Sequence, residues 1–188
     1  MVFDDKMHEV IGTLENDGII LYPTDTVWAL GCSIKSKTAI KKIRNLKQME
    51  HRPMVTLASS ISMLKKYIPH IHPRVETLLS YHKKPLTIVY PKPRNLPNYL
   101  IASDNTIAVR IPDDPFCKTI IDLLGYPIIS TLPSRKEFKV SINFHDIKPE
   151  FKEIADYICN HRRNIITNEL PSVIVKYDKN GELDFLRM

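Results

Sequence analysis

Apolar positions recur at helical spacing over residues 4–16, where Met7, Val10, Ile11 and Leu14 share one side. That spacing predicts an amphipathic helix ending near Asn16-Asp17-Gly18. Ile19 to Tyr22 is a short apolar run of β-branched and aromatic residues and predicts a buried strand. Pro23 has no N–H for a ladder and should end it. Thr24, Asp25 and Thr26 then set two hydroxyls and an acid where the strand runs out. Apolar character returns over Val27, Trp28, Ala29 and Leu30, and Gly31 is expected at a sharp turn. In α/β folds the edge where strands end is where ligands bind. A Thr/Asp turn beside a core tryptophan is the alternative reading of the same residues.

Ser36 is a candidate N-cap for a helix over 37–48, with Ala39, Ile40, Ile43 and Leu46 as its inward stripe. Lys37, Lys41 and Arg44 fall on the other side. Lys47 instead extends the inward stripe. It either points its ammonium from the helix end toward a site or caps the last carbonyls of its own helix. Residues 50–53 break the pattern. A strand is expected over 55–57, and short helices over 60–68 and 73–81. His70 and His72, between those helices, have metal-like spacing, but no third ligand is evident and no metal site is expected.

Pro85 to Pro91 and Thr106 to Ile111 read as strands, the second carrying Arg110 among apolar neighbours. A guanidinium in such a strand needs an anion. Asp114 and Pro115 open a helix that ends at Gly125, a strand follows over 127–131, and residues 132–139 form a basic loop. Residues 149–161 read as a helix. Strands over 171–177 and 183–187 flank Asn180-Gly181, a strong hairpin signal. Alternating strands and helices with a terminal hairpin predict an α/β fold with a mixed sheet.

The chain has 188 residues, and its net charge of +6 hides an asymmetry. Residues 35–94 hold fourteen Lys and Arg against two acids, while the rest holds thirteen against nineteen. A solvated basic surface and a phosphate-rich partner, nucleotide or RNA, both fit that excess. The three cysteines, Cys32, Cys117 and Cys159, are scattered and odd in number, so a reduced, cytoplasmic setting is expected. No run is long enough to span a bilayer, no membrane association is expected, and the acidic N-terminus does not read as a secretory leader.

The stretch from Tyr22 to Cys32 also resembles the signature of the YrdC-like family. That signature is Tyr-Pro-Thr, an acid, a hydroxyl residue, a variable position, an aromatic, a small residue, then Leu-Gly-Cys. Further matches continue in order to the last few residues. The resemblance implies a single domain over 1–188, a twisted mixed sheet flanked by helices around a positively charged cavity. The matches run to Arg187-Met188, and the extra C-terminal domain of longer members is not expected. The family's best-known members are threonylcarbamoyl-adenylate synthases, nucleotidyltransferases that join L-threonine, bicarbonate and ATP and release pyrophosphate. Mg2+ is expected with the ATP. The product serves tRNA threonylcarbamoyladenosine modification with partner proteins.

By that resemblance Thr24 holds threonine and Lys47, closing the second helix, holds ATP phosphate. Arg110, in Ala108-Val109-Arg110, meets the substrate carboxylate; a planar fork suits that partner. Thr106 falls near the nucleotide, Ser130 at the end of the family's S-T-S-A-N strand, and Ser172 and Arg187 form a late binding pair. No covalent nucleophile is needed and no signature for one is present.

Two motifs depart. Lys47-Gln48-Met49 has a methionine where the family's K-x-R has arginine, and Ser130-Thr131 continues as Leu132-Pro133-Ser134. Each lost charge-assisted contact is worth roughly 1.5–3 kcal/mol. Candidate replacements are Arg52, Ser134, Arg135, Lys136 and Lys139, with Ser141 and Asn143 as mimics of the missing pair. These losses resemble the YciO branch. The alternative function is a non-catalytic relative that binds double-stranded RNA, tRNA or nucleotide over a degenerate ATP site. A weaker third reading is carbamoyl transfer in another pathway.

Overall fold

The structure, a computed structural model, describes residues 3–49, 54–135, 143–166, 170–177 and 180–187. Its strands are β1 (Ile19–Tyr22), β2 (Ala29–Ser33), β3 (Val55–Leu57), β4 (Leu86–Pro91), β5 (Thr106–Arg110), β6 (Ile128–Thr131), β7 (Tyr157–Ile158), β8 (Val173–Tyr177) and β9 (Leu183–Arg187). Its helices are α1 (Met7–Glu15), α2 (Lys37–Lys47), α3 (Ile61–Lys65), α4 (Pro73–Tyr81), α5 (Pro115–Leu124) and α6 (Pro149–Glu153). The strands form one twisted mixed sheet in the order β7-β1-β2-β6-β3-β5-β4-β8-β9. The pairs β1–β7, β3–β5 and β4–β8 are parallel and the others antiparallel.

Local chemistry sets the helix ends. The Ser36 hydroxyl accepts from the Ala39 N–H at 3.1 Å and opens α2. The Asp114 carboxylate accepts from the Cys117 N–H at 2.8 Å, with Pro115 at the first position of α5. Gly125, at φ +75°, closes that helix. Each cap satisfies backbone groups that the helix leaves unbonded.

Strand alternation then separates core from cavity. Across the sheet, Leu57 pairs with Arg110, Arg110 with Thr87, and Thr87 with Ile174, so this row shares one face. Gly31, Ser130 and Val55 form a second row, and Val89 pairs with Ala108. The alternate residues Ile88, Ile107, Ile129 and Val175 are fully buried in the core. A one-residue slip would turn the cavity row into the core.

Three expectations change. The helix over 149–161 stops at Glu153, and β7 follows it. Asp156 explains why: its carboxylate accepts the Ile19 N–H at 2.8 Å while its own N–H donates to the Ile19 carbonyl. The Asp5 carboxylate next takes the N–H groups of Asn160 and His161, at 2.7 and 2.8 Å. Tertiary hydrogen bonds thus pull the chain out of the helix and along the edge of β1. Gly31 makes no turn; it lies inside β2, where a Cβ would stand 2.6 Å from the Tyr22 ring and 3.2 Å from the Ile129 carbonyl oxygen. The glycine serves close strand approach, not a bend. The helix expected over 60–68 is shorter, Ile61–Lys65.

Candidate functional site

The cavity rows of the sheet, the end of α2 and the loop after β1 enclose a cavity of about 470 Å³. Six of the residues singled out from sequence line it: Thr24, Lys47, Arg110, Ser130, Ser172 and Arg187.

The loop after β1 follows from Pro23. Pairing stops at Tyr22, and the threonine hydroxyls organise the turn back into β2. The Thr24 hydroxyl donates to the Val27 carbonyl at 2.7 Å and accepts from the Thr26 N–H at 3.1 Å. Its one proton is thereby committed, so the 2.9 Å contact between the two hydroxyls is donated by Thr26. Thr26 in turn accepts from Arg110 Nη1 at 3.0 Å. The chain of donors runs Arg110, Thr26, Thr24, Val27, and ties the turn to the end of β5. Trp28 packs behind the turn, its ring 5.0 Å from that of Phe144, as the core-tryptophan reading expects, while Thr24 and Thr26 line the cavity.

Arg110 is 94% buried and closes β5. Its anion is Asp25: Nη2 donates to one carboxylate oxygen, and the other oxygen accepts the Asp113 N–H at 3.0 Å. Arg110 Nε is buried and makes no hydrogen bond to the described residues. The need for an anion, legible in the sequence, is met within the chain, and the other N–H groups of the guanidinium make no hydrogen bond to the described residues.

Lys47 is 4% exposed. It does not cap α2, whose last carbonyls accept from the Gln48 and Met49 N–H groups, with Gln48 in the left-handed region at φ 55°. Its ammonium donates instead to the Thr131 hydroxyl at 2.8 Å and the Leu132 carbonyl at 2.7 Å, at the end of β6. Met49, Met54 and Leu132 line the cavity beside it. On the opposite wall, the Ser172 and Thr87 hydroxyls lie 2.7 Å apart. Arg187 donates from Nε and Nη2 to the Ser172 carbonyl, at 3.0 and 2.7 Å. The late pair is therefore joined directly, across β8 and β9.

The other candidates lie elsewhere. Thr106 starts β5, four residues and about 13 Å of strand from Arg110, and does not line the cavity. Its hydroxyl donates to Asp104 at 2.6 Å. That bond, and then Lys176, hold the Asp104 carboxyl below its ordinary range. Arg135 is exposed and pairs with Glu150 at 3.4 Å; the Ser134 N–H bonds to the Leu132 carbonyl; Asn143 bonds to Asp146. None of these three lines the cavity. Arg52, Lys136, Lys139 and Ser141 lie outside the described residues. Asp25 and Thr26 were in view in the hydroxyl-acid-hydroxyl run, without individual roles, and the structure ties both to Arg110. Sequence reasoning missed Thr87 and Thr131, which carried no signal.

With this geometry in hand, comparison with known proteins is specific. A family model covering Sua5, YciO and YrdC, described as telomere recombination, matches residues 12–188. The chain belongs to the Sua5/YciO/YrdC family. The threonylcarbamoyl-AMP synthase of Escherichia coli O1:K1 / APEC is 30% identical over 131 residues, 68% of this chain and 69% of that protein. The same values hold for the threonylcarbamoyl-AMP synthase of Shigella sonnei strain Ss046. Among solved structures, E. coli YciO superposes with a TM-score of 0.84 at 22% identity, over 96% of this chain and 87% of that one. P. abyssi Sua5 complexed with L-threonine gives 0.79 at 21% identity, over 90% of this chain and 50% of that one. The chain thus spans half of that Sua5, and these two likenesses carry the fold. No helix among the described residues is long and apolar enough to cross a membrane.

Proposed function

We propose that the chain is an ATP-dependent threonylcarbamoyl-adenylate synthase, a nucleotidyltransferase whose product serves tRNA modification. The observation that carries the reading is the gathering of Arg110, Thr26, Ser130, Ser172, Arg187 and Lys47 around one cavity. Similarity to threonylcarbamoyl-AMP synthases over two-thirds of the chain supports it, as does the likeness to a Sua5 complexed with L-threonine.

On this reading the threonine carboxylate accepts from the remaining N–H groups of Arg110. The threonine amine takes up the carboxyl of bicarbonate with loss of water. A carbamate oxygen then attacks the α-phosphorus of ATP, the bond to the β-phosphate bridge breaks, and pyrophosphate leaves. Lys47 at the α2 end and Arg187 on β9 supply cations for the phosphate charge. Chemistry of this kind rests on positioning and preorganised charge, not on a covalent nucleophile. The described cavity lining contains no carboxylate; Mg2+ would come bound to the ATP phosphates and would supply charge for the departing pyrophosphate beside Lys47 and Arg187.

Pyrophosphate release should require threonine, bicarbonate and ATP together. Lys47→Ala should raise the KM for ATP about 10–100-fold. Pyrophosphate release that is indifferent to threonine overturns the reading. A second reading, a nucleotide- or RNA-binding relative without catalysis, is favoured by Met49, Met54 and Leu132 at the Lys47 end. It requires RNA affinity that falls steeply with salt, and no threonine-coupled ATP binding by calorimetry.

A further inference from the structure

Arg110 lines the cavity and Asp25 does not. The carboxylate sits behind the guanidinium, bonded to Nη2 and to the Asp113 N–H, and its side chain is only 13% exposed. A guanidinium carries five N–H groups. Thr26 takes one from Nη1 and Asp25 one from Nη2, so each of these nitrogens keeps a second N–H that makes no hydrogen bond to the described residues. The seat therefore offers spare donors, while the charge that would ordinarily draw an anion is already balanced. In a buried site both facts have force, because an unbonded donor is costly and charges are weakly screened.

These facts discriminate between ligands. A bare carboxylate entering the seat sets a second negative charge near Asp25, and two carboxylates sharing a site repel. A carboxylate with an ammonium on its α-carbon brings no net charge, and its cation is attracted to Asp25. We propose that Asp25 is the specificity-determining residue of the Arg110 seat, and that it makes the seat select a zwitterionic α-amino acid over the matching simple carboxylic acid. The proposal deepens the synthase reading and takes only the choice of amino acid from it. Lys47 and Arg187 line the same cavity, but their attraction for anions is common to the wild type and an Asp25 variant and cancels in the comparison.

The test is calorimetric, on the full chain without nucleotide, with L-threonine and 3-hydroxybutyrate, the same skeleton without the amino group. Wild type should prefer threonine by at least about tenfold. Asp25→Asn keeps an acceptor for Nη2 and removes the charge. It should shrink that preference by about tenfold, chiefly through tighter binding of 3-hydroxybutyrate. Thermal melting checks that the variant folds; if it does not, Asp25→Ser takes its place. Equal affinities in wild type, an unchanged ratio in the variant, or no binding of either ligand overturns the proposal. Selective threonine binding without pyrophosphate release would sink the synthase reading and leave this one standing. Turnover with a preference that ignores Asp25 would do the reverse.

Discussion

The two walls of the cavity are built to different standards. One wall is the turn after β1 and the end of β5. Every residue of β1 and β5 is buried, and Arg110 is held by a carboxylate and a hydroxyl. The other wall is β8 and β9, where four of the five β9 residues are exposed, Leu183, Phe185 and Leu186 among them. Arg187 reaches the cavity from that edge and is bonded to the neighbouring strand. The first wall couples binding to stability, because its polar groups are part of the core. The second can change its contacts at little cost to the fold.

The sharpest way to break this contrast is Arg110→Ala. It leaves the Asp25 charge buried without its partner, which costs about 3–5 kcal/mol in a denaturant titration. Pyrophosphate release should fall at least about 100-fold. Arg187→Ala should separate the two effects: activity falls by about 10–30-fold, while stability changes by less than about 1 kcal/mol. A large loss of stability there would erase the distinction between the walls. Met49→Arg restores a cation beside Lys47 and should tighten ATP by about 5–10-fold in calorimetry; unchanged affinity would mean the phosphates lie elsewhere.

The smallest effect belongs to Thr106→Ala, which should leave activity untouched. The Asp104 carboxyl is held low by the Thr106 hydroxyl first and by Lys176 second, so its folded value lies below the unfolded one. Its contribution is therefore present above the usual carboxylate range, near about pH 4, and is lost as pH falls through the depressed value. Melting curves of wild type and variant should differ slightly at neutral pH and converge in acid.

What the sequence revealed follows the range of the forces involved. The stripe of α2 and the runs of β1, β4 and β5 are local patterns, and both Lys47 on the inward stripe and Arg110 in an apolar strand were visible as anomalies. β2 was hidden because Ala29, Gly31 and Cys32 carry small side chains without the β-branched mark of a strand. Gly31 was misread because its reason, the Tyr22 ring on the neighbouring strand, is a contact between strands. The end of α6 and the partner of Arg110 were hidden for the same reason. Asp156 bonds 137 residues away and Asp25 bonds 85 residues away, and no local window contains either pair. Thr106 was assigned by alignment with a hydroxyl position, and strand geometry puts it at the far end of β5 from Arg110.

The bond between Ile19 and Asp156 has a consequence for the time at which the sheet can be completed. The outer edge of β1 meets its partner only after 137 further residues exist. At ribosomal speeds of about 5–20 residues per second, that interval is roughly 7–27 s. Throughout it, an apolar strand edge stands open to other chains, and edges of this kind are where aggregation begins. The nascent protein would be most dependent on a holding chaperone between the synthesis of β1 and that of β7, and a ribosome stalled in that interval would carry a chain poised to aggregate.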